Sequence, residues 1–145
     1  MKEKRNLRLG RAALCLTLAA ISFHAPAQHP SHTSSRIALS HALPALNGEK
    51  LAVNVVEVTY GPGEASPPHS HPCPVIGYVA EGEIRSRVEG QPEAVYKAGE
   101  SFYEAPNGVH AVSANASQTK PAKLIAFFVC DHTGPLSSPA EPTHK

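Results

Sequence analysis

Short runs in which apolar and polar residues alternate fill the middle of the chain. The clearest are "LAVNVVEVTY" (residues 51–60), "VIGYVA" (75–80), "EIRSRV" (83–88) and "KLIAFFVC" (123–130). Such alternation is typical of β-strands with one buried face. Fourteen prolines and ten glycines punctuate the sequence, and many of them separate these runs. Short strands with turn signals between them predict an all-β fold, an antiparallel sandwich or barrel.

The first 27 residues have a different composition. Five basic residues precede an uncharged apolar run at residues 12–23, and Ala-Pro-Ala follows at residues 25–27. A basic head, a short apolar segment and a small-residue site are typical of a secretory signal peptide. The apolar run is shorter than the ~20 residues that cross a bilayer. We therefore expect a signal peptide at residues 1–27, cleavage after Ala27, and export to the periplasm or beyond by the general secretion route.

The remaining 118 residues are enough for one domain. We expect an N-terminal tail with a candidate edge strand at residues 28–50, a barrel at 51–132 and a flexible C-terminal tail at 133–145. The whole chain carries a formal charge of +1 and the leader +4, so the remainder carries −3. This balance argues against nucleic acid or an anionic membrane as a partner, because both attract clustered Lys and Arg.

Two cysteines, Cys73 and Cys130, remain after removal of the leader. An oxidising compartment favours a disulfide between them. A bridge also requires the two Cα atoms to lie within about 4.4–6.8 Å of each other, which the sequence does not reveal. A disulfide and two separate thiols therefore both remain open.

Two histidines, His69 and His71, stand one residue apart at the entrance to a predicted strand. Residues i and i+2 of an extended chain project from the same face. Two imidazoles alone bind a metal weakly, so a third ligand must come from elsewhere in the fold. His110 follows "PNG" at the start of another predicted strand. The three histidines are candidate ligands of a divalent transition metal, since neutral imidazole suits Fe, Zn, Cu and Ni.

Two sequence motifs around these histidines resemble those of the cupins, small jelly-roll β-barrels in which the motifs meet around a metal. The first motif is matched by Gly63, His69, His71 and Gly82. The second is matched, with intervals displaced by one residue, by Gly99, Pro106, Gly108, His110 and Asn115. The resemblance covers residues 51–129 and implies a jelly-roll barrel with a metal site. It also implies a homodimer, formed by packing sheets or exchanging N-terminal strands.

The chain departs from the cupin pattern at one ligand. The position at which cupins carry a metal-binding glutamate is Val75 here. The metal is therefore held by three histidines alone, or Glu104, six residues before His110, reaches it directly or through a water. Glu104 is accordingly a candidate catalytic residue. Fe(II) is the expected metal, with Zn, Mn, Ni and Cu as alternatives.

Three neutral ligands leave a net positive site that favours small molecules with oxygen donors, such as enolates, catecholates or carboxylates. We expect the barrel to surround this site with an aliphatic wall, formed by Val55, Val58, Ile76, Val79, Ile84, Val112, Ile125 and Phe127. The first hypothesis is a metal-dependent enzyme of dioxygenase or isomerase type. The alternatives are a small-ligand binding or sensing module without turnover, and a metal-storage protein.

Overall fold

The alternating runs form the strands of two antiparallel sheets in the computed structural model, which describes residues 34–140. The predicted signal peptide falls on residues outside this range. From Ser35 onward the chain forms one compact unit. After a 3-10 turn at Gly48–Lys50, the strands are β1 Ala52–Tyr60, β2 Ala65–Ser66, β3 His69–Ser70, β4 Val75–Glu81, β5 Glu83–Val88, β6 Ala94–Lys97, β7 Ser101–Glu104, β8 Val109–Asn115, β9 Ala122–Cys130 and β10 Ser138–Pro139.

The two sheets have different strand orders. One sheet runs β1-β9-β4-β7, and the other runs β10-β3-β8-β5-β6, with β2 also paired to β8. Every pairing within them is antiparallel, and many neighbouring strands are far apart in sequence, as β1 and β9 are. The described residues contain no α-helix. The predicted all-β, antiparallel jelly-roll is therefore confirmed.

Strand parity decides which apolar side chains reach the core. Val79 and Ile84 are fully buried, and Val58 packs against the same cluster, as predicted. Val55 lies on the opposite face of β1 and is 58% exposed, because the inward positions of that strand are its even-numbered residues. Phe127 is paired with Val55, and Ile76 with Phe127, so both share this outer face. Ile125 also lies at an outward position, between the buried Leu124 and Ala126 of β9. The expected aliphatic wall was thus wrong for Val55, Ile76, Ile125 and Phe127, which belong to the outer face of the four-stranded sheet.

A disulfide joins Cys73, in the loop before β4, to Cys130 at the end of β9. Their Cα atoms are 5.0 Å apart, within the range that a bridge requires. Both cysteines are buried in a cluster with Val75, Ala126 and Phe128. The disulfide therefore fixes the loop that follows His71 to the barrel wall.

The segments before β1 and after β9 both contact the barrel. Residues 34–51 contain no strand, but the Arg36 side chain donates a hydrogen bond to the Gly99 carbonyl, and His41 stacks on Tyr103. At the other end, β10 pairs with β3, and Leu136 packs against the disulfide cluster. Within the part of the chain that the structure describes, no helix is long and apolar enough to cross a membrane.

Candidate metal centre

The pairing of β3 with β8 brings the three candidate histidines together. His69 lies directly opposite His110 in the register, and His71 follows β3 by one residue. Each residue offers one ligand atom, and these three atoms lie within 4.8 Å of one another. His71 and His110 are buried, and His69 is half-buried. His110, which lies 39 positions after His71 in the sequence, therefore joins the His69 and His71 pair in one cluster.

Each histidine ring is held by an oxygen at one of its two nitrogens. His69 Nδ1 lies 2.7 Å from the Pro67 carbonyl oxygen, and His71 Nδ1 lies 2.8 Å from the Leu136 carbonyl oxygen. His110 Nε2 lies 2.9 Å from Ser86 Oγ. A carbonyl accepts only from a protonated nitrogen, so His69 and His71 keep Nε2 free as an electron-pair donor. Metal-binding histidines are usually oriented in this way.

Glu104 supplies a carboxylate at the same point. It is the last residue of β7, is only 4% exposed, and faces inward like Phe102 two residues earlier. Its Oε2 lies 3.0 Å from His110 Nδ1 and 3.7 Å from His71 Nε2. This oxygen is nevertheless buried without a hydrogen bond of acceptable geometry. A buried carboxylate oxygen without such a partner is rare, and a cation is one way to satisfy it.

The donor set fits a divalent transition metal. Three imidazole nitrogens and one carboxylate oxygen are ligands that Fe, Zn, Ni and Cu accept, and they leave coordination positions open. Burial lowers the pKa of His69 below its ordinary value, and the neighbouring His71 and His110 act in the same direction against the bond to Pro67. A lowered pKa keeps this imidazole neutral, which is the form that binds metal.

A turn and two aromatic rings set the positions of the histidines. The backbone N–H of Asn107 donates to the His71 carbonyl over 2.6 Å. Asn107 has φ of 62°, a left-handed conformation that Asn tolerates better than most residues. The Phe128 ring packs edge-on against His71 at 5.0 Å, and the Phe102 ring lies 6.1 Å from His110. The "PNG" turn therefore supports one histidine while it begins the strand that carries another.

Sequence reasoning missed two contributors to this site. Ser86 alternates with Ile84 and Val88 along its strand, and a hydroxyl on this otherwise apolar face was the available signal. Leu136 contributes a backbone carbonyl, which no side-chain pattern identifies. The isolated leucine in a Pro- and Ser-rich segment was the weaker sign that this segment packs against the barrel.

Comparison with known proteins places this geometry in a family. The sequence model of the cupin domain matches residues 56–128, about half of the chain. A cupin-like protein from Thermotoga maritima is similar in structure over 61% of this chain and 64% of its own, with 27% identity and a TM-score of 0.53. No curated protein sequence gives a significant match.

Two enzymes share the fold at lower identity. An oxalate oxidase in complex with the substrate analogue glycolate is 23% identical, over 61% of this chain and 55% of its own, with a TM-score of 0.50. The DMSP lyase DddQ from Ruegeria pomeroyi is 20% identical, over 68% of this chain and 47% of its own, with a TM-score of 0.53. This chain spans less than two thirds of the length of each of these three proteins.

Proposed function

Because the chain belongs to the cupin family, we propose that it binds one divalent transition metal at His69, His71, His110 and Glu104 and acts on a small molecule there. The observation that carries this proposal is the unpartnered Glu104 oxygen, buried beside His110 and His71. A cluster that served only packing would not bury such an oxygen, because removing a carboxylate oxygen from water without a partner costs free energy.

The proposed reaction class is that of a metal-dependent oxidoreductase, of dioxygenase type, or an isomerase. A bound divalent metal supplies Lewis acidity, and as Fe(II) it supplies dioxygen chemistry. The residues have separate tasks. Ser86 and the Leu136 carbonyl orient the rings of His110 and His71. Glu104 adds the negative charge that three neutral imidazoles lack, and it is placed to accept a proton from a group bound beside it.

Metal content and turnover test this proposal together. Purified full-length protein should contain about one metal per chain by elemental analysis, and we propose Fe(II) as that metal. The iron-loaded protein should consume dioxygen when given acetylacetone or catechol, two oxygen chelators. A loaded protein that binds these compounds without oxygen uptake or conversion would favour the alternative, a ligand-binding or sensing cupin. Binding of several metals per chain would favour metal storage.

The proposal includes export to the periplasm or the medium. The Cys73–Cys130 disulfide supports it, because disulfides persist in oxidising compartments and are rare in the cytosol. N-terminal sequencing of the exported protein should begin at Gln28. Exported material that retains Met1 would contradict the cleavage site.

We also propose a homodimer that buries the outer face of the four-stranded sheet. Val53 and Val55 are 63% and 58% exposed on this face, and Val55 lies beside Phe127 in the register. An apolar sheet face of this kind is typical of a surface that a second copy covers. Light scattering should give a dimer mass for the wild type and a monomer mass for Val55→Lys. Val95→Lys, at an exposed position of β6 in the other sheet, is the matched control and should remain dimeric.

A further inference from the structure

A cavity of about 440 Å³ opens beside the candidate metal centre. His69 and His71 line one side of it. Val56 and Val58 of β1 and Phe128 of β9 form the barrel side. The size falls within the range of small-molecule sites in proteins.

The C-terminal segment forms another wall of this cavity. Leu136 and Pro139 both line it, and Pro139 is paired with His69 in the register of β10 with β3. The same segment reaches the metal centre, because the Leu136 carbonyl accepts from His71. A molecule in the cavity would therefore contact apolar side chains on both sides while its end meets the histidines.

The lining of this cavity is apolar apart from serine and histidine side chains. Its residues are valine, phenylalanine, leucine, proline, serine and histidine, and none is Lys, Arg, Asp or Glu. A buried charge without a partner is strongly unfavourable in such surroundings. A charged group far from the metal would therefore find no counter-ion in the cavity wall.

We propose that the substrate or ligand of this protein has an apolar body that fills the cavity and an oxygen-chelating head that faces the histidines. This inference rests on the proposed metal site and adds the substrate class. It disfavours small molecules that are charged at both ends, because their distal charge would lie against Val56, Val58 and Phe128.

Three matched hydroxamates test the proposal on the metal-loaded full-length protein. Acetohydroxamate and hexanohydroxamate share one two-oxygen head and differ by four methylene groups. Adipic acid monohydroxamate has the same chain as hexanohydroxamate but ends in a carboxylate. Calorimetry should show about fourfold tighter binding for each methylene that enters the cavity, and at least about 20-fold tighter binding of hexanohydroxamate than of acetohydroxamate. The carboxylate-ended probe should lose most of that gain.

Variants of β1 distinguish the contribution of the cavity wall to binding from that of the metal. Val56→Thr combined with Val58→Thr keeps the shape of the wall but adds hydroxyls, so hexanohydroxamate should bind at least about fivefold more weakly and acetohydroxamate should be unaffected. Val53→Thr combined with Val55→Thr, on the outer face of the same strand, is the matched control and should change neither affinity.

Equal binding of all three probes by loaded wild-type protein would overturn the inference and leave the metal site intact. A protein that takes up no metal, even after reconstitution, would overturn the proposed function and with it this inference. Hexanohydroxamate could also bind more tightly than acetohydroxamate without being weakened by the Val56 and Val58 changes. Its alkyl chain would then lie outside the cavity, and this result would also overturn the inference.

Discussion

Val75 and Glu104 are direct cross-strand neighbours in the pairing of β4 with β7. Both are buried and both point into the barrel. Val75 occupies the position at which the cupin motif carries its glutamate, and Glu104 delivers a carboxylate to the same region from the adjacent strand. The pairing of β4 with β7 thus supplies the carboxylate that the first motif lacks at Val75.

Exchange of these two residues tests whether the carboxylate is equivalent from either strand. Glu104→Val should weaken metal binding by roughly 10–100-fold, the scale seen when a metal-site partner is lost. Addition of Val75→Glu to Glu104→Val should recover much of that affinity, since the paired side chains face the same interior. Competition with a chelator of known affinity measures both. Glu57→Val, at an exposed position of β1, is the control and should bind metal normally. If Glu104→Val also binds metal as the wild type does, the carboxylate has no role.

Ser86 should orient His110 through its hydroxyl. Ser86→Ala removes the partner of His110 Nε2 and leaves that nitrogen buried, so metal affinity should fall by roughly 10–100-fold. Ser101→Ala, at a less buried position of β7, serves as the control. Within the described residues, no side-chain hydrogen bond joins Ser101 to a residue of the site. An affinity that Ser86→Ala leaves unchanged would mean that packing alone holds the ring.

The C-terminal segment should contribute to the metal centre. A chain that ends at Thr133 loses the Leu136 carbonyl and β10, so we expect weaker metal binding by about 10-fold while the barrel still folds. A chain that ends at Ala140 keeps both and should bind as the full-length protein does. Circular dichroism and chelator competition on the two proteins separate a loss of the site from a loss of the fold. Equal metal affinities of the two truncated proteins would show that the segment after Thr133 does not contribute to the metal centre.

The Cys73–Cys130 disulfide should stabilise the barrel. It links residues 57 positions apart, and loss of a native bridge from a small domain costs about 2–5 kcal/mol. Cys73→Ala combined with Cys130→Ala should lower the free energy of unfolding by that amount in a denaturant titration. The wild type with reductant should match the variant without it. A wild type that is indifferent to reductant would show that the bridge is absent in solution.

The strands were predictable from the sequence because alternation of apolar and polar residues directly reflects a half-buried strand. The pair His69 and His71 was visible for the same reason, since their spacing sets a common face. The pairing of Glu104 with Val75 was not predictable, because these residues are 29 positions apart and meet only through the register of β4 with β7. Val55, Ile76, Ile125 and Phe127 were misplaced for a different reason. The sequence does not show which of two alternating apolar sets on a strand faces the core, so an outward apolar residue resembles an inward one.

Contacts that involve backbone atoms were beyond sequence reasoning altogether. The Leu136 carbonyl that holds His71 depends on where the chain returns after β9, and every residue carries such a carbonyl. The disulfide remained open for a related reason, since the approach of Cys73 to Cys130 follows from the long-range pairing of β4 with β9.

The metal content of the His69→Ala, His71→Ala, His110→Ala triple variant tests the central claim most directly. Elemental analysis of the wild type should give about one metal per chain, and the triple variant should hold almost none while its β-sheet circular dichroism spectrum is retained. His132→Ala, an exposed histidine paired with Asp131, should keep full metal content and change stability by no more than about 0.5 kcal/mol. Full metal occupancy in the triple variant would contradict the account, because the three histidines would then not form the metal site.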